Sequence, residues 1–143
     1  MGYISDVAST VYGPTDRVKA FLVAHRMKGE PFNVFNIFKD DINVGTCLSE
    51  THIVLRGQYK WYSGYDSVAA WEKFLADAEV FGLNYEFIRV GEDQTDIERT
   101  EGGNPEYYLQ VCTSIELSTP EFTDTLENWL TKQKSSVATN LLT

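Results

Sequence analysis

THIVLRGQYKWYSGYDSVAAWEKFLADAEVFGLNYEFIRV, residues 51–90, decides the fold class. Thr51–Tyr62 opens with β-branched and apolar residues and reads as a strand, with Gly57 expected to bulge or bend it. Ser63-Gly64-Tyr65 supplies turn chemistry. Asp66 is placed to cap a helix whose Val68, Trp71, Phe74, Leu75, Ala78 and Phe81 form one apolar stripe at three- and four-residue spacing. Gly82 then stands where a helix ends in a left-handed residue. Leu83–Val90 returns as a strand, and a strand, one helix and a second strand in one sheet favour a parallel pair with a right-handed crossover.

Working outward, residues 91–105 read as an acidic loop. Glu106–Leu117 alternates Tyr107, Leu109, Val111, Thr113, Ile115 and Leu117 with polar neighbours, the pattern of one half-buried antiparallel strand. Thr119-Pro120-Glu121 predicts a helix start with proline at the first helical position, and Phe122, Leu126, Trp129 and Leu130 form its apolar face. Toward the N-terminus, Phe32–Phe38 carries apolar groups on both faces and reads as a strand covered on two sides. Val44–Leu48 reads as its short partner. Thr15, after Pro14, predicts the N-cap of an amphipathic helix running to Lys28, with Val18, Phe21, Leu22 and His25 on one face. The spacing of Ile4, Val7, Val11 and Tyr12 permits an earlier short helix.

These elements define a single α+β domain over residues 1–134: a mostly antiparallel sheet of four to five strands containing one βαβ unit, packed with two to three helices. Residues 135–143, rich in Ser, Thr and Asn, are expected to be a frayed tail. The 143 residues suit one hydrophobic core, and 43% hydrophobic with 23% charged residues exclude a disordered chain.

Charge is the main deviation. Twelve basic and 21 acidic side chains leave −9, unevenly spread. Residues 1–39 carry five basic and three acidic groups, whereas 40–143 carry seven and eighteen. Such a field repels nucleic acid and anionic membranes, so neither is an expected partner. Cys47 and Cys112 lie in no metal or redox spacing and are expected as buried thiols of a reducing compartment. Met1–Asp6 lacks a basic leader and an apolar stretch, which predicts a cytoplasmic protein.

Residues 91–106, GEDQTDIERTEGGNPE, hold six carboxylates and one arginine. Glu92, Asp93, Asp96 and Glu98 could in principle supply oxygens to a hard cation, but the spacing is not that of an EF-hand, and no metal is assigned. The same acids, with Glu101, form a candidate partner-binding surface. Tyr59, Trp61, Tyr62 and Tyr65 surround Lys60 as an aromatic cluster; core packing is expected to claim some of them, leaving Tyr62 and Tyr65 as binding candidates. His25 and His52 lack a nucleophile or acidic partner at catalytic spacing and are expected to be structural. No nucleophile elbow, phosphate loop, dinucleotide fingerprint or zinc-protease motif occurs, so no catalytic residue and no cofactor is assigned.

The blocks KWYSGYDSVAAWEKFL (60–75), NYEFIRVGEDQTDIE (84–98) and YYLQVCTSIEL (107–117) resemble small uncharacterised proteins encoded by bacteriophages and prophages. That resemblance implies a phage accessory protein acting in the host cytoplasm and transfers no catalytic residue. The expectation is a non-enzymatic acidic protein that binds a basic surface of a host or phage protein, with inhibition of that protein left open, through Glu92, Asp93, Asp96, Glu98 and Glu101 with Tyr62 and Tyr65. The alternatives are a small metal-dependent or small-molecule enzyme, with its site near the strand ends at Tyr62 and Val90, and a structural homo-oligomer.

Overall fold

A computed structural model describes residues 3–26, 33–93, 95–111, 115–120 and 122–133. Its main sheet has five strands in the order β2-β3-β1-β4-β5, every neighbouring pair antiparallel. The strands are β1 (Ser5–Pro14), β2 (Ile42–Cys47), β3 (Glu50–Tyr59), β4 (Asn84–Val90) and β5 (Ile97–Gly102). The helices α1 (Thr15–Arg26), α2 (Val34–Ile37) and α3 (Asp66–Val80) alternate with them. A further helix, α4, covers residues 126–133. A separate hairpin pairs β6 (Leu109–Val111) with β7 (Ile115–Leu117). The protein is therefore α+β, with the run β1-α1-β2-β3-α3-β4 arranged as a ferredoxin-like split β-α-β unit and β5 added at one edge.

β1 is the centre of the sheet. The spacing of Val7, Val11 and Tyr12 permits a helix, but ten consecutive residues pair with β3 and seven of them also with β4. Both faces of β1 are covered, so it lacks the polar alternation that usually marks a strand. β3 and β4 do run in the same direction, but they flank β1 and do not pair with each other. Gly57 does not bulge β3: the register passes unbroken from Gln58 opposite Asp6 to Arg56 opposite Ala8.

Helices cover one face. Val18, Phe21 and Leu22 of α1 and Trp71, Phe74 and Leu75 of α3 meet Val7, Val11, Ile53 and Leu55 of the sheet. Each such fully buried large side chain contributes about 1.5–3 kcal/mol relative to exposure. Tyr65 is the N-cap of α3, and Asp66, read as the cap, is its first helical residue, where its charge complements the helix dipole. At the other end Leu83 N–H donates to Ala78 and Gly82 N–H to Glu79, with Gly82 at φ +77°. This closure requires a left-handed residue, as the glycine implies.

Four further sequence expectations fail. Residues 34–37 form α2 rather than a strand, because the Asn33 side chain accepts from Phe35 N–H and starts a helical turn; Phe32 lies outside the described residues. Thr15 does not cap α1: its hydroxyl donates to Ser49 across the β2–β3 turn. The last helix begins at residue 126, not at Pro120. It still buries Leu126 and Trp129, whose indole donates to Thr46. Cys47 is exposed rather than buried. Lys28, Cys112 and the tail lie outside the described residues. No described helix is long and apolar enough to cross a membrane.

Candidate functional site

The segment read as an acidic loop is a tight turn followed by the edge strand β5. Gly91 N–H donates to Asp96 and Asp96 N–H to Asp93, closing the turn. Asp93 accepts from both the amide and the hydroxyl of Thr95, at 3.0 and 2.8 Å, and these bonds hold its carboxyl below the usual range. Asp96 faces Arg89 of β4 in a two-point contact at 3.0 and 2.9 Å and accepts from the Tyr3 hydroxyl at 3.0 Å. The Arg89 and Tyr3 hydrogen bonds together lower the Asp96 carboxyl, and the Asp96 bond raises the Arg89 guanidinium. Arg89 also pairs with Glu98 at 3.2 Å.

Tyr3 is the residue that organises this end of the molecule. Its N–H donates to the Tyr62 hydroxyl at 2.6 Å, while its own hydroxyl accepts from Asp93 N–H and donates to Asp96. Ile4 N–H adds a bond to Glu92 at 2.8 Å. Tyr62 and Tyr65, 37% and 45% exposed, stack edge-to-face at 5.2 Å. Tyr59 and Trp61 instead pack against the core. Two segments thirty residues apart in sequence thus meet where β3 and β4 end. Glu92, Asp93, Asp96 and Glu98 gather there with Tyr62 and, through it, Tyr65.

Glu101 does not join them. It lies near the far end of β5, three residues from Glu98 and so on the opposite face of the strand. There it pairs with Arg99 at 3.5 Å, and Arg99 stacks 5.4 Å from the Tyr107 ring. The basic residues of α1 do not neutralise the turn. Arg17 donates to Gly82 and Arg26 pairs with Glu127. Arg89 does so in part: Glu92, Asp93, Asp96 and Glu98 share this one arginine, leaving −3. No group of acids, histidines or cysteines suited to a metal ion occurs among the described residues.

Sequence reasoning missed a second constellation on the sheet face opposite the helices. Glu86 of β4, 0% exposed, accepts from Leu109 N–H (3.1 Å) and Arg99 (3.4 Å) at one oxygen. Its other oxygen accepts from the Tyr12 hydroxyl (2.7 Å) and Tyr108 N–H (3.1 Å). Beside it His52 lies between the rings of Tyr12 and Phe122, at 5.0 and 5.5 Å. His52 Nε2 meets Glu50 at 2.8 Å and Nδ1 meets the Thr10 hydroxyl at 3.3 Å. Burial depresses the imidazole despite the Glu50 carboxylate and keeps it neutral, so Nε2–H donates to Glu50 and Nδ1 accepts from Thr10. The Tyr108 hydroxyl bridges toward Glu50 and Glu106, and burial raises both it and Tyr12. Every oxygen of Glu86 is occupied, so this network fastens the β6–β7 hairpin to the sheet. The only sequence cue is one acid in the otherwise apolar-rich strand NYEFIRV.

Comparison with family models, curated proteins and solved structures returns no match to this chain.

Proposed function

We propose that this chain is a non-enzymatic acidic interaction protein, phage-encoded as its resemblance implies, that binds a protein bearing a basic surface. The binding face is Glu92, Asp93, Asp96 and Glu98 together with Tyr62 and Tyr65. One observation supports this reading above the others: Tyr3 ties an exposed tyrosine pair to a turn that keeps net negative charge after its internal ion pairs are counted. Acids held by Arg89 and Thr95 are oriented before contact, which lowers the ordering cost of binding. Exposed tyrosines supply contact area at little entropic cost. The charge would accelerate and select the encounter, in the positions where a basic partner expects phosphates.

A partner other than a second copy fits the edge better. β5 presents Glu98 and Glu101 to solvent, and a copy pairing there would bring like charges together.

The test compares the wild-type chain with Glu92→Lys/Asp93→Lys/Glu98→Lys and with Tyr62→Ala in partner capture at low and high salt. The triple variant is expected to lose capture and the wild type to weaken steeply with salt. Retention of the same partner by the triple variant, with unchanged salt response, refutes the reading.

A further inference from the structure

On the hairpin face of the sheet, away from the acidic edge, a cleft of about 280 Å³ opens between the turn before β2, the middle of β3 and the segment after β7. Its lining is chemically two-sided. Asp40 and Asp41 bring carboxylates from the turn, and Arg56 brings a guanidinium from β3. Val54, Leu117 and Phe122 supply apolar surface between them. Among the described residues no ion pair joins Arg56 to either aspartate, so opposite charges share the cleft without cancelling each other. Arg56 commits Nη2 to the Ile115 carbonyl at 2.8 Å, and Asp41 commits one oxygen to the Tyr59 hydroxyl at 2.5 Å.

Thr119 also lines the cleft, but its hydroxyl oxygen is buried away from solvent, so the charged and apolar side chains make the surface a ligand would meet.

We propose that this cleft binds a small zwitterion of the α-amino acid class with an apolar side chain. The ammonium lies toward Asp40 and Asp41, the carboxylate toward Arg56, and the side chain against Val54, Leu117 and Phe122. The size agrees: the cleft sits at the lower bound of ligand pockets, about 300 Å³. Charge excludes the simpler classes. An anion would meet two carboxylates, a cation would leave Arg56 beside it uncompensated, and a neutral apolar compound would desolvate all three charges without pairing them.

Isothermal titration of the full chain with leucine, 3-methylbutylamine and 4-methylpentanoate tests this. The second probe lacks the carboxylate and the third lacks the ammonium. Leucine is expected to bind, with each truncated probe at least tenfold weaker. Asp40→Asn, at an exposed position, is expected to weaken leucine at least tenfold while leaving the melting temperature unchanged. Leu117→Ala gives a second variant that removes apolar surface from the cleft, and is expected to weaken leucine severalfold. No binding of leucine or phenylalanine at millimolar concentration overturns the proposal. So does equal binding of either truncated probe, or leucine binding that both variants retain.

Discussion

Replacing Glu86 with glutamine keeps the volume of a side chain that is wholly inside the protein and changes only its hydrogen-bonding capacity. Four donors converge on its two oxygens: Tyr12, Tyr108 N–H, Leu109 N–H and Arg99. In Glu86→Gln one oxygen becomes an NH2 group, so two of the four donors lose their acceptor and face another donor. Each buried unsatisfied group costs about 1–3 kcal/mol. Arg99 is one-third exposed and recovers part of its loss from water, which brings the total to about 3 kcal/mol. For a chain of this size that loss corresponds to a melting temperature lower by roughly 10 °C. Urea unfolding supplies the free energy and a thermal scan the second reading. Glu98→Gln, which breaks an exposed ion pair, serves as the control and is expected to cost under about 1 kcal/mol. A loss below about 0.5 kcal/mol for Glu86→Gln would show that the donors find water, and that the hairpin is not held by this carboxylate.

Three further outcomes follow from the same geometry. His52 has a folded-state pKa below its unfolded value near 6.5, so the unfolded chain binds the extra proton. Its contribution to stability is present above about pH 6.5 and is lost as the pH falls through the folded value; urea midpoints from pH 7.5 to 5.5 should therefore decline, and decline less in His52→Gln. A Cβ on Gly45 would stand 1.8 Å from Phe122 Cδ1, so Gly45→Ala should cost about 1–3 kcal/mol by denaturation. Gly45→Ala added to Phe122→Ala should cost little more than Phe122→Ala alone, and additive losses would contradict the contact. Asp96→Asn removes the shared partner of Arg89 and Tyr3, so amide exchange at Gly91 and Asp93 should quicken while β1 protection holds.

What the sequence showed plainly was the local order of elements with strong periodicity. Residues 66–80 have an uninterrupted stripe and a terminating glycine, and they fold as read. The failures have separate physical origins, and in β1 it is burial on two faces that erases the signal used to tell elements apart. β1 carries Val7 and Val11 toward the helices and Ala8, Thr10 and Tyr12 toward the hairpin, so no polar residue marks an exposed side except Asp6. β6 and β7 read as one strand because Leu109, Val111, Ile115 and Leu117 keep the same two-residue period on both arms of the hairpin. β5 reads as a loop because its charges suit an edge strand, where carboxylates discourage further pairing. The acids of the candidate site were visible as composition. That Arg89 and Tyr3 would hold them was not, since those contacts span seven and 93 residues and depend on β1 lying beside β4.

The placement of β1 therefore carries the functional argument as well as the fold. Because β1 pairs with both β3 and β4, its first residues emerge between the strand ends that lead to Tyr62 and to the acidic turn. Tyr3 can bond to both only from that position. An N-terminal helix would have left the tyrosine pair and the carboxylates as separate surface features, each with an ordinary solvent-facing explanation. The opposite end of β1 delivers Tyr12 to Glu86 and the stacked His52, which fixes the hairpin, and β7 leads from that hairpin to Thr119 and Phe122 on one side of the amino-acid-sized cleft. One strand thus positions the acidic binding face directly and the cleft through the hairpin, and the two remain far enough apart in the sheet to be tested by independent substitutions.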